Sequence, residues 1–172
     1  MSFWRIAFFL CIVSTPVFAQ GAKQSMAQIA SNTVTNNCFA PIFFGNHPTK
    51  TAQAEKLEEF PPERADVFLR GQPGHVFAIP DAPGNIILKT LDNGVCQVLL
   101  REIDPKDFWS HMDALFLSER LKWTLHDETT DQDGIKKSYI TEFRGNIVAL
   151  ISASHQPKAN GTQAVITVSR YQ

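Results

Sequence analysis

Apolar residues recur at two different periods along the chain, and the change between them near His75 predicts the order of its elements. Met26, Ile29, Ala30 and Val34 fall at helical spacing and predict an amphipathic helix ending near Asn36 and Asn37, with Cys38 just past its end. The run from Phe39 to Gly45 is apolar, broken by Pro41 and closed by Gly45, and reads as an irregular strap lying on the core. Its Phe43 and Phe44 either pack inward or present an apolar patch to a partner. Thr49 or Thr51 can cap a second helix running through Glu58, which Pro61 and Pro62 stop. Pro62 then opens a short helix ending before Gly71.

From His75 the apolar period becomes two. Residues 75–79, 85–91 and 95–103 read as strands, joined by turns at Asp81 to Gly84 and Asp92 to Gly94, and Asn93-Gly94 is a hairpin signal. Cys96, Val98 and Leu100 share one face of the third strand, which points Cys96 inward. Asp104 and Pro105 provide an N-cap and first turn for the clearest helix, whose stripe is Phe108, Met112, Leu115 and Phe116, widened by Trp109. Four more strands follow, near 121–128, 135–143, 146–154 and 162–171. Strands, one helix, then strands, with tight turns between neighbours, predict a single α+β domain. Its antiparallel sheet carries the central amphipathic helix on one face and the N-terminal helices alongside.

Composition narrows the class. With 172 residues, 44% hydrophobic and 19% charged, the chain can build one core, which excludes disordered, collagen-like and repeat readings. A net charge of -1 supplies no drive toward nucleic acid or an anionic membrane, so neither is expected as a partner. Residues 1–19 read as a secretory signal peptide: Arg5 is its only charge, Ile6 to Val13 is unbroken and apolar, and Ala19 ends a small-residue cleavage site. Residues 20–172 then form the exported domain, with no stretch long and apolar enough to span a bilayer. Leu10 precedes Cys11 and Asn37 precedes Cys38, which argues against lipid attachment.

Cleavage removes Cys11 and leaves Cys38 and Cys96 in an oxidising compartment, so a Cys38–Cys96 disulfide tying the N-terminal arm to the sheet is expected. The pair lacks the C-x-x-C spacing of redox centres.

Reactive chemistry is sparse. His47, His75, His111, His126 and His155 match no zinc spacing, no G-x-S-x-G elbow is present, and Ser152-Ala153-Ser154-His155 reads as a strand end. Arg70-Gly71-Gln72-Pro73-Gly74 holds two glycines but no phosphate-loop pattern, and it enters a strand. The acids Asp127, Glu128, Asp131 and Asp133 before Gly134 suggest calcium, yet the first and last ligand positions would be Thr129 and Ile140, so a solvated hairpin tip is expected. Glu102 and Asp104 read as a strand end and a helix cap. Asn160-Gly161-Thr162 is a formal glycosylation triplet in a loop. No cofactor, metal or catalytic residue is expected.

Phe68-Leu69-Arg70-Gly71-Gln72-Pro73-Gly74-His75-Val76-Phe77, then Asn93-Gly94-Val95-Cys96-Gln97-Val98, then Asp104-Pro105 opening a helix, resemble a group of small exported proteins of Gram-negative bacteria with no established activity. The resemblance spans the middle third of the chain and implies a periplasmic or secreted protein. The expected function is that of a non-catalytic binding protein meeting another protein or an envelope component, with an inhibitor-like role as one form. Its expected contact residues are Phe43, Phe44, Arg70 and His75. The rival reading is a secreted hydrolase with a carboxylate and histidine site assembled by folding.

Overall fold

The computed structural model describes residues 24–118, 122–141, 147–156 and 161–170. The expected leader at 1–19, the turn at 144–146, residue Asn160 and the strand ends expected at Leu121, Phe143 and Tyr171 lie outside the described residues.

Helix α1 spans Met26–Thr33, capped by Ser25, whose hydroxyl accepts from the Gln28 N–H at 3.2 Å. It does not end at Asn36 and Asn37, as the pattern suggested. A π-helical segment, Val34–Phe39, carries the axis directly into α2, Ala40–Phe44. The reason is Pro41, which has no N–H for the carbonyl four residues back and whose ring would press against it. A wider turn avoids that meeting, and the Ala40 N–H accordingly donates to the Thr35 carbonyl five residues earlier. The expected strap is therefore helical, and Gly45 closes it in the left-handed conformation at φ 78°.

Helix α3 is Pro48–Ala54, capped by His47 and not by Thr49 or Thr51, and it stops four residues short of Glu58. Residues 58–60 are drawn instead to the edge of the sheet: Phe60 N–H donates to Val76 O at 2.8 Å, and Ala78 N–H to Glu58 O at 2.9 Å. Pairing with a strand has overridden helical continuation there. Helix α4, Pro62–Leu69, begins on its prolines as expected and ends with Arg70 in the left-handed region at φ 52°.

The strands are β1 (Gly74–Ala78), β2 (Ile86–Leu91), β3 (Cys96–Leu100), β4 (Thr124–Thr130), β5 (Gly134–Thr141), β6 (Ile147–Ser154) and β7 (Ala164–Arg170). They form one sheet in the order β1-β2-β3-β7-β6-β5-β4, with every neighbouring pair antiparallel. Helix α5, Pro105–Phe116, capped by Asp104 as expected, carries the chain from β3 to the far edge. Hairpins then bring it back until β7 closes on β3.

One face of this α+β domain is covered along most of its width. Phe108, Met112 and Phe116 of α5 are buried with Ala27, Ala30 and Val34 from the first helix, over inward positions such as Val98, Ile151, Ile166 and Val168. Among the described residues the opposite face is covered where α4 lies. There Phe60, Ala65 and Leu69 bury Val76, Ile87 and Leu91, so β2 is buried at all six positions and loses its alternation. Beyond β3 alternation returns: Ile147, Ala149, Ile151 and Ala153 are buried, while Val148, Leu150, Ser152 and Ser154 are not.

Cys38, in the π-helical segment, and Cys96, opening β3, are wholly buried and joined in a disulfide with Cα atoms 5.4 Å apart. The bond fastens the first helix to the central strand and fits an oxidising, non-cytoplasmic environment. No helix among the described residues is long and apolar enough to cross a membrane.

The bond spans 58 residues, for which chain entropy gives a stabilisation of up to about 4 kcal/mol. Thermal melts with and without reductant, and of a Cys38→Ala/Cys96→Ala double variant, are expected to show a fall in Tm of several degrees, about 2–4 kcal/mol. Superimposable melts would contradict the staple.

Candidate functional site

The expected contact residues occupy different settings. Phe44 is 65% exposed at the end of α2, whereas Phe43 is half-buried against the core and packs edge-on against Phe44. Phe39 links Phe43 to Trp123, and Trp123 meets Phe116, which stacks on Tyr139. The strap's aromatics are thus mostly the outer end of an internal ring series. His75 opens β1, where its Nδ1 lies 2.7 Å from Glu59 Oε1, and its ring stacks on Phe77. Arg70 is exposed in the following turn of α4. The β2–β3 turn stands between the two groups: the Asp92 carbonyl lies 3.3 Å from His47 Nε2, and the Asp92 N–H donates to Pro73 O.

The histidines do not converge. His111 sits on Asp107 one helical turn away at 3.1 Å, His75 on Glu59, and His126 at the irregularity in β4. Among the described residues no cluster of three or more histidine, cysteine or acidic side chains is arranged to hold a metal. The acidic hairpin tip has a structural use. Asp131 Oδ1 accepts the N–H groups of Asp133 at 2.8 Å and Gly134 at 3.0 Å, which hold its carboxyl below the usual carboxylate range.

One titratable cluster went unread in the sequence. Asp113 of α5 accepts from Tyr139 Oη at 2.7 Å and from Lys137 Nζ at 3.0 Å to each oxygen. Lys137 also lies 3.8 Å from Glu128 and over the Trp109 ring. Burial, then the hydrogen bond and charge of Asp113, push the Tyr139 phenol far above its ordinary value near 10, so it stays a neutral donor. With all its strong partners internal, the cluster clamps α5 to β5.

A wide opening among the described residues lies on the face that α5 leaves alone. A cavity of about 520 Å³ is bordered by Lys136, Ser152, Ser154, His155, Gln163 and Val165. A second of about 450 Å³ continues along the face past Ser138, Leu150 and Thr167 to Asp127 and Thr129, sharing Lys136, Ser152 and Val165 with the first. Together they make one groove over β4 to β7. Its floor is hydroxyls at the non-core positions of successive strands, with Leu150, 52% exposed, in the middle. Ser154 Oγ donates to Gln163 O at 2.9 Å, and the His155 N–H donates to Asp133 O. Among the described residues no serine is hydrogen-bonded to a histidine. The groove's polar groups can donate to and accept from a ligand. The sequence did carry a signal for it: Ser152 and Ser154, and Thr167 and Ser169, recur at the strand period of two between apolar residues.

Comparison with known protein families, with curated proteins and with solved structures finds no match.

Two outcomes follow from these settings. Tyr139 has its folded pKa raised, so its contribution to stability is present below the ordinary tyrosine range and is lost as pH rises through and beyond it. A near-ultraviolet absorbance titration is expected to show Tyr139 ionising only together with alkaline unfolding, a phase absent in Tyr139→Phe; ionisation of Tyr139 at about pH 10 in the folded protein would contradict the clamp. For the aromatics, Phe44→Asp is expected to change stability by less than about 0.5 kcal/mol, and Phe43→Asp to cost about 2 kcal/mol or more in a denaturant titration. Equal costs would show that both are packed or both free.

Proposed function

We propose that this is an exported, disulfide-stapled, non-catalytic binding protein of the bacterial envelope or extracellular space, and that the groove over β4 to β7 is the surface that meets its ligand. The observation carrying the reading is the groove itself: among the described residues the outer side of β4 to β7 presents a hydroxyl-rich, partly apolar face to solvent. A buried disulfide and the leader pattern of residues 1–19 support export. The likeness to small exported Gram-negative proteins supports the same compartment. Phe44 and the Arg70 to His75 loop stand beside other surfaces and are secondary contact candidates. An inhibitor-like role is one form this binding can take. A hydrolase has less support, because His75 and His111 each pair with a single acid on the surface, away from the groove.

The test is gentle purification of the exported protein followed by native mass spectrometry, beside a Ser152→Phe variant that fills the groove floor. Extra mass on the wild type that is lost in the variant at unchanged Tm is the expected result. Bound mass that persists in the variant would move the ligand surface elsewhere, and turnover of a substrate library by the wild type would overturn the non-catalytic reading.

A further inference from the structure

Among the described residues Lys89 is the one buried lysine, and it lies on the sheet's second face. It is 6% exposed and faces the same side as Ile87 and Leu91, which are packed under α4. Its Nζ donates to Gln72 Oε1 at 2.9 Å, and among the described residues neither Lys89 nor Arg70 forms an ion pair with a carboxylate. A buried ammonium with only a neutral partner is unfavourable, and an alkyl side chain would suit this apolar setting better. Gln72, the partner of Lys89, lies in the exposed loop that starts at Arg70, and burial and then the charge of Arg70 both lower the Lys89 pKa. Arg70 is itself held in the left-handed region at φ 52°, where a side chain other than glycine's is uncommon, and it begins the exposed loop Arg70–Gly74 that lies over Lys89.

The register continues the position into the groove. Lys89 is paired with Gln97, Gln97 with Thr167, Thr167 with Leu150, Leu150 with Ser138, and Ser138 with Asp127. Gln97 Nε2 donates to Thr167 Oγ1 at 3.1 Å along this row. Neighbouring strands lie about 4.8 Å apart, so the row runs about 24 Å from a cationic end at Lys89 to an acidic end at Asp127. The Lys89 ammonium at one end of this polar row has no carboxylate partner among the described residues; an anion would be a stronger partner for it than the Gln72 amide, and the Gln72 side chain, on an exposed loop, can rotate away from Nζ to admit one.

We infer that Lys89 and Arg70, with the Arg70–Gly74 loop, form a binding site for an oxyanion, the carboxylate or phosphate group of a ligand whose remainder lies along the bare face. The site deepens the reading of that face as a ligand surface and rests on it. Lys89 supplies a charge-assisted hydrogen bond from a desolvated position, Arg70 supplies a second planar donor set from solvent, and Gln72 serves as the stand-in partner of the empty site.

The test uses the oxidised protein from residue 20 onward, followed by backbone amide NMR during titration with inorganic phosphate, with acetate, and with chloride at matched ionic strength. Saturable shifts in residues 70–72, 74 and 89 with phosphate or acetate but not chloride are expected, and whichever oxyanion saturates at the lower concentration identifies the group. Lys89→Met, which keeps the volume and removes the charge, is expected to weaken binding at least about tenfold. Arg70→Gly suits the left-handed backbone conformation and removes an exposed side chain with its guanidinium, so it guards against a folding artefact; it is expected to weaken binding severalfold with little change in Tm. Unsaturable shifts, or shifts unchanged in both variants, would overturn the anion site. Shifts confined to Ser138, Ser152 and Thr167 would overturn it while leaving the bare face a ligand surface, and no shift outside the chloride response would remove the support for both.

Discussion

A seven-stranded sheet has two faces to keep from water, and this chain has helix enough for one face and part of the other. The first helix and α5 take up the inner face, and α4 reaches only β1 and β2 on the outer one. Everything beyond β3 on that side must then be tolerable in solvent. The chain meets the requirement by interspersing serine and threonine among the apolar residues at the outward positions of β5, β6 and β7, such as Ser138, Ser152, Ser154, Thr167 and Ser169 beside Val148, Leu150 and Val165, while its larger buried side chains face the other way. The groove is therefore a consequence of how coverage is distributed, and the mechanism of binding proposed for it follows from the same distribution.

The inner face needs its helices held in place. Two links do this from opposite ends: the Cys38–Cys96 disulfide pins the π-helical segment to β3, and Asp113 ties α5 to Lys137 and Tyr139 of β5. The π-helical turn that Pro41 imposes also carries Cys38, so a local backbone necessity and a covalent tether fall in the same six residues. Between these links runs the ring series from Phe43 through Phe39, Trp123 and Phe116 to Tyr139, which fills the volume with large, rigid side chains. The outer face has no comparable clamp beyond β3, which suits a surface that exchanges water for a ligand.

Much of this was legible in the residues. The change of period near His75, the Asp104-Pro105 start and the Asn93-Gly94 turn defined the α+β order, and the cysteine count defined the staple. What was misread shares one cause, local signals overridden by contacts distant in sequence. Pro41 looked like a break because a wider helical turn is invisible to a period of 3.6 residues. Helix α3 looked longer because nothing near Glu58 announces that β1 will pair with it. Strand β4 was expected three residues earlier, since its seven exposed residues have no apolar alternation to mark their register. The site was less legible than the fold. Lys89 reads as an ordinary strand lysine until the Arg70–Gly74 loop is seen above it, and a row such as Lys89, Gln97, Thr167 and Ser138 exists only once the strand order is known.

The central claim is that the outer face of β5 to β7 is open to solvent while the outer face of β2 is not. Methyl NMR with a soluble paramagnetic gadolinium chelate reads this directly. The account predicts strong broadening of Leu150 and Val165, and little of Ile87 and Leu91 on the same side or of Ile151 and Ile166 on the other. Protection of Leu150 and Val165 equal to that of Ile166 would mean that the face is covered, and would contradict both the half-dressed sheet and the binding surface built on it.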